Sequence, residues 1–151
     1  MLMLGQGFYW QDLEPGQHFK TYRRTITESD LINFINATGM LEAIFIDAEY
    51  SASVGGIKGR VVPAALTYGL IEGLLFQSMI QGTGLAMLEL EKKALKPVFV
   101  NDSVWATVEV TGIRPTSKDN RAIVTSQVDV FNQRDEMVLT YRIVRMLAGR
   151  P

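Results

Sequence analysis

From Val104 onward the chain alternates apolar and polar side chains with period two, three times over, and that pattern leaves few folds open. Val104, Ala106, Val108 and Val110 alternate with Trp105, Thr107, Glu109 and Thr111. Val124, Ser126, Val128 and Val130 alternate with Thr125, Gln127 and Asp129, and Leu139, Tyr141 and Ile143 with Thr140, Arg142 and Val144. Successive side chains of a strand point to opposite faces, so each run predicts a strand with one buried face. Turn-forming residues separate the runs: Asn101-Asp102, Lys118-Asp119-Asn120 and Gln133-Arg134-Asp135-Glu136. Strands joined by such short connections predict an antiparallel meander. Leu85 to Leu95 is a weaker fourth run.

A sheet with one apolar face needs a second layer to cover it. The segment after Pro63 supplies the candidate. Proline suits the start of a helix, where its missing N–H costs nothing. A helix is expected from Ala64 to about Met79. Leu66, Gly69, Leu70, Gly73 and Leu74 share one stripe. A mid-helix glycine costs about 1 kcal/mol relative to Ala. Close packing of this glycine-bearing stripe on the sheet is the expected compensation. The resulting class is α+β, with the sheet wrapped around a long central helix and residues 1–151 forming one domain.

The N-terminal third is less regular. Phe8 to Gly16 ends in a Pro-Gly turn, and His18 to Ile26 reads as a strand leading into a helix. Thr27-Glu28-Ser29-Asp30 is a helix start: Thr27 can accept a backbone N–H, and acidic residues suit the positive first turn. Leu31, Phe34 and Ile35 continue at helical spacing, and Gly39 is placed to end the helix. Met40 to Asp47 has no clear period and reads as a loop or short extended segment. Ala48 to Val54 reads as one or two helical turns closed by Gly55-Gly56.

Composition narrows the function classes. Fifteen basic against sixteen acidic residues give a net charge of -1 with no charge block, which excludes a non-specific nucleic-acid binder. There is no cysteine, so thiolate metal sites and cysteine nucleophiles are excluded. No metal-ligand spacing and no phosphate-cradling glycine loop is present, so no metal and no cofactor are expected. The apolar start Met1-Leu2-Met3-Leu4 is too short for a signal-peptide core. The longest apolar-rich stretch, Val61 to Ile80, is broken by Pro63, Tyr68, Glu72 and Gln77, so it reads as a buried helix rather than a membrane span. A cytoplasmic location is expected.

Several motifs, in this order, resemble the MaoC-like dehydratase family, which includes the (R)-specific enoyl-CoA hydratases of hot-dog fold. Thr27 to Phe34 is similar to the family's first helix, and Ala37-Thr38-Gly39 to the residues before its active-site segment. Asp47 to Ala52 is similar to the turn after the catalytic His, and Gly59 to Ala64 to the loop entering the central helix. Leu95 to Ser103 resembles the family's strand-turn signature, with Asn101 where Gly is usual, and Phe131-Asn132-Gln133 resembles its last hairpin.

The resemblance implies an acyl thioester as substrate, bound as the CoA or acyl-carrier-protein derivative, and a homodimer or a heterodimer with a catalytic hot-dog subunit. No role on nucleic acid or at a membrane is implied. It also marks a departure. After Gly39 the family reads Asp-x-Asn-Pro-x-His-x-Asp, whereas this chain reads Met40-Leu41-Glu42-Ala43-Ile44-Phe45-Ile46-Asp47. Met40 and Phe45 stand at the positions of the catalytic Asp and His. The Ala64 N–H stands where the family polarises the thioester carbonyl.

Three functional readings stay open at this level. The first is a non-catalytic subunit that binds an acyl thioester through Ala64, Met40, Phe45 and Tyr68. The second is a hydratase with a displaced base, Glu42 or Asp47. The third is a thioesterase using Glu72, since some hot-dog thioesterases carry a carboxylate on the central helix. Against Glu72 stands a plain structural reading, in which it faces solvent or a subunit interface at the helix edge. Glu42 and Asp47 read equally as solvated or capping carboxylates. His18, the only histidine, reads as an exposed residue after a turn. Phe76 and Met79 join Met40, Phe45 and Tyr68 as either tunnel lining or plain core. Arg114, Lys118 and Arg121 read as a solvated hairpin end rather than a CoA phosphate site.

Overall fold

The computed structural model describes residues 1–151. Along the chain a single 3-10 turn, Trp10–Asp12, precedes two short strands, β1 (His18–Lys20) and β2 (Arg24–Thr25). Helix α1 (Glu28–Thr38) and two four-residue helices, α2 (Ala43–Ile46) and α3 (Tyr50–Ser53), lead to the central helix α4 (Ala64–Phe76). Four long strands complete the fold: β3 (Gly84–Ala94), β4 (Ser103–Pro115), β5 (Arg121–Phe131) and β6 (Met137–Ala148). All pairings are antiparallel, in the order β1-β4-β5-β6-β3, with β2 also on β4.

The period-two runs place their apolar residues as expected. Val104, Ala106, Val108 and Val110 are buried, as are Val124, Ser126, Val128, Val130, Leu139, Tyr141 and Ile143. Register brings Val108 opposite Val128, and Val128 opposite Tyr141, so the three strands present one continuous apolar face. Helix α4 packs on that face through Leu66, Ile71 and Leu75, and α1 adds Leu31 and Ile35. Each such side chain contributes about 1.5–3 kcal/mol through burial.

Helix α1 begins where its cap residues set it. The Thr27 hydroxyl accepts from the Asp30 N–H at 3.1 Å, and the Asp30 carboxylate accepts from the Thr27 N–H at 2.8 Å. Arg24 donates twice to the same carboxylate at 3.0 Å, and this pairing holds the Asp30 carboxyl at about 2, well below the usual range. Gly39 ends the helix in the left-handed conformation, φ 74°. Asn101 adopts φ 75°, a conformation asparagine tolerates better than most residues, so it replaces the family's glycine in that turn.

Four expectations are corrected. His18 to Ile26 is two short strands rather than one, because the Thr21 hydroxyl accepts from the Ala106 N–H and interrupts the ladder. Met40 to Asp47 contains the helical turn α2, whose N-terminus is capped by Glu42. The central helix ends at Phe76 rather than about Met79. The two glycines of α4 do not meet the sheet: Gly69 is exposed, and a Cβ built on Gly69 or Gly73 meets nothing within 4 Å, although Leu66 of the same stripe is buried in the core. The sheet instead receives the stripe carrying Thr67, Ile71, Glu72 and Leu75. No helix of the fold is long and apolar enough to cross a membrane.

Candidate active site

Two polar features lie along α4. The first is at the N-terminus of α4. Pro63 is extended, φ -60° and ψ 141°, and the helix starts directly after it. The N–H groups of Ala64 and Ala65 have no partner within the chain, as expected for a first helical turn without a capping side chain. They project the positive end of a 13-residue helix. Beside them lies a cavity of about 280 Å³ lined by Ala64, Thr67, Val62, Lys96, Pro97 and Val138 among others. Ala64 lines this mostly apolar pocket, where a free first-turn N–H can hold and polarise one carbonyl oxygen.

The second feature is a buried ion pair at mid-helix. Glu72 and Arg145 have side chains only 9% exposed each, and Arg145 Nη2 lies 2.6 Å from Glu72 Oε2. Tyr141 donates to the same carboxylate oxygen at 2.9 Å, and Tyr68 reaches the other at 3.4 Å. The two tyrosine rings meet edge to face at 5.1 Å. Glu72 therefore faces the sheet, not solvent or the helix edge as the sequence suggested. Its charge is balanced and its lone pairs are occupied, as a buried carboxylate requires.

Burial, followed by the neighbouring Glu72 charge, pushes the Tyr141 phenol well above its ordinary value. A raised folded-state pKa gives stability that is complete below the unfolded tyrosine value, near 10, and lost as pH rises beyond it. Thermal unfolding followed upward from pH 9 should show this decline, and Tyr141→Phe should flatten it.

The other candidates do not converge. Glu42 is exposed and accepts from the adjacent Ala43 N–H at 3.0 Å, and Asp47 is exposed and accepts from the Glu49 N–H at 3.0 Å. Both act as caps of short turns. Met40 is 41% exposed, whereas Phe45 is half-buried against the core. Arg60 fixes that segment: it donates to the Phe45 carbonyl and pairs with Glu28 on α1 at 2.8 Å. Tyr68 belongs to the Glu72 cluster, and Phe76 and Met79 line different cavities, so the five apolar candidates do not form one tunnel. His18 is exposed on β1, 4.0 Å from Glu109. Arg114 and Lys118 are exposed, and Arg121 pairs with Asp119 at 3.7 Å.

Sequence reasoning missed Arg145 and Thr67. Arg145 carried a readable signal: extending the inward series 139, 141, 143 by two places sets a cation on the apolar face, opposite a helix that carries one buried acid. Thr67 carried none, since a threonine in an apolar helix is unremarkable in sequence.

Known proteins agree with this architecture. The model of the MaoC like domain matches residues 11–132. An (R)-specific enoyl-CoA hydratase of Rhodospirillum rubrum is 30% identical over 110 residues, 73% of this chain and 74% of that protein. The crystal structure of a MaoC-like dehydratase from the same organism superposes with a TM-score of 0.83 at 24% identity, over 96% of this chain and 99% of the other. A Mycobacterium tuberculosis protein described as having a double hotdogfold superposes at 0.87 with 20% identity, over 99% of this chain and 46% of its own. The antiparallel sheet with its central helix is thus a hot-dog fold, and the chain belongs to the MaoC-like domain family.

Proposed function

We propose that this chain binds an acyl thioester, polarises its carbonyl at the start of α4, and relies on a second hot-dog subunit for proton transfer. The observation that carries the reading is the pair Met40 and Phe45 at the positions where the family's Asp and His are expected. Hydration of a 2-enoyl thioester needs a water deprotonated and a proton delivered to Cα. Positioned acid–base groups contribute about 10²–10⁴-fold to such steps, and neither a thioether nor a phenyl ring can transfer a proton. The Ala64 and Ala65 N–H groups are retained, so carbonyl binding survives without the base. The hydratase names of the curated relatives support the thioester as ligand.

The other readings receive less support. Glu42 and Asp47 are exposed and engaged as caps, which leaves neither in the dry setting that makes a carboxylate a good base. Glu72 lies eight residues beyond Ala64, about 12 Å along the helix axis at 1.5 Å per residue. A carboxylate so placed, and held by Arg145, is poorly set to attack a carbonyl carbon gripped at Ala64 of the same chain.

A second domain has a natural seat. β3 is an edge strand with Leu85, Met87 and Leu88 exposed, and the bare Gly69 lies on the uncovered side of α4. The double hot-dog neighbour, about twice this chain's length, supports a partner of the same fold. A second copy would carry the same Met40 and Phe45, so the partner that supplies proton transfer is a homologous chain, and co-expression with such a chain tests this.

The carbonyl site is tested by Ala64→Pro. Proline is tolerated at a first helical position and the extended Pro63 accommodates it, so the N–H is removed while the helix remains. Crotonyl-CoA binding by titration calorimetry should weaken about tenfold, the value of one hydrogen bond to a ligand. Unchanged affinity would place the carbonyl elsewhere.

A further inference from the structure

We infer that Thr67 is a binding residue of the α4 cavity, and that its hydroxyl makes the site prefer a 3-hydroxyacyl thioester over the corresponding 2-enoyl thioester. This inference rests on the proposed seat of the thioester carbonyl at Ala64. Thr67 is 1% exposed, and its hydroxyl has no hydrogen-bond partner. A buried hydroxyl without a partner carries a desolvation cost that a folded protein seldom leaves unmet. In a helix the usual relief is a bond back to the carbonyl four residues earlier. Here that carbonyl, Pro63 O, accepts from the Leu66 and Thr67 N–H groups at 3.0 and 3.4 Å and receives nothing from the hydroxyl.

The residue lines the same cavity as Ala64, whose other walls are almost wholly apolar: Val62, Ala94, Leu95, Pro97, Val98, Val138 and Leu139. Lys96, the remaining polar neighbour, is committed to Glu136 at 2.6 Å. The polar groups left free at the cavity wall are therefore the first-turn N–H of Ala64 and, just beneath the wall, this hydroxyl.

Their spacing suggests what they read. Thr67 lies three residues beyond Ala64, about 4.5 Å further along the helix. In an acyl thioester, two carbon–carbon bonds of about 1.5 Å each separate the carbonyl carbon from C3. An oxygen on C3 can thus reach a group about 4.5 Å along the helix from the one that holds the carbonyl oxygen. A 3-hydroxyl both donates and accepts, and so can satisfy Thr67; the C3 of an enoyl group does neither. At about 280 Å³ the cavity lies at the small end of ligand pockets, which suits a short acyl chain.

The test compares binding of 3-hydroxybutyryl-CoA and crotonyl-CoA to the full chain and to two variants. The wild type should favour the hydroxyacyl ligand about tenfold. Thr67→Val, which keeps the shape and removes the hydroxyl, should bind the two ligands within twofold of each other, with the loss falling on the hydroxyacyl ligand. The same variant should melt at a higher temperature without ligand, because an unpartnered buried hydroxyl is gone. Thr67→Ser should keep the preference. A wild type that binds both ligands equally, or a Thr67→Val variant that keeps the discrimination, overturns the inference while leaving the carbonyl site intact. Failure of the wild type to bind either thioester overturns the proposed function itself.

Discussion

Glu72→Ala should destabilise the chain by about 3–5 kcal/mol, the largest loss expected from any single side chain outside the aliphatic core. The substitution strands the Arg145 guanidinium, only 9% exposed, with no counter-charge, and it removes the acceptor of the Tyr141 and Tyr68 hydroxyls. For a domain of this size that corresponds to a fall in Tm of about 10 °C. Replacing the pair together is a different experiment. Glu72→Leu with Arg145→Met removes both charges, and most of the stability should return, since well-packed apolar residues often match or exceed a buried ion pair. Urea unfolding of the two single variants and the double variant gives the coupling directly. A loss below 1 kcal/mol for Glu72→Ala would mean that the cluster is solvated and that Glu72 is free for chemistry, which would revive the thioesterase reading.

The double substitution Met40→Asp with Phe45→His should raise crotonyl-CoA hydration at least 100-fold over the unaltered chain. It restores the acid–base residues that the family pattern places after Gly39, and such groups act as a unit. Each single change should give far less than half of the logarithmic gain. The scaffold favours the restoration, because α1 ends in a left-handed Gly39 directly before Met40, and Arg60 holds the carbonyl of residue 45. Phe45→His should cost about 1–2 kcal/mol, as it replaces a half-buried ring. A double variant that binds thioester with unchanged affinity and still shows no hydration would mean that the missing pair is not what limits this chain.

The parts of the fold that were legible in sequence are those set by local periodicity and local chemistry. The alternations at 104–110, 124–130 and 139–143 each give a strand, and Thr27 and Gly39 bound α1 at both ends. What escaped depends on partners distant in sequence. Helix α4 is apolar on nearly every side, so no polar stripe tells which face meets the sheet; the glycines suggested one face, and the Glu72–Arg145 pair selects another. The turn α2 is a run of Ala-Ile-Phe-Ile with no helical spacing, and it is held by the Glu42 cap and by Arg60 from 15 residues away. The break between β1 and β2 depends on Thr21 meeting Ala106. At the site, Met40, Phe45 and Ala64 were legible only through the resemblance. The unpartnered hydroxyl of Thr67 needed coordinates.

A chain that grips a thioester but lacks a proton shuttle should separate binding from turnover. The most direct measurement is the loss of enoyl absorbance of crotonyl-CoA with the purified chain alone, at concentrations where calorimetry shows the ligand bound. The expected result is saturable binding with hydration no faster than the buffer blank, and turnover only when a hot-dog partner carrying the Asp and His is added. Hydration by the chain alone at a rate within tenfold of the Met40→Asp/Phe45→His variant would contradict it.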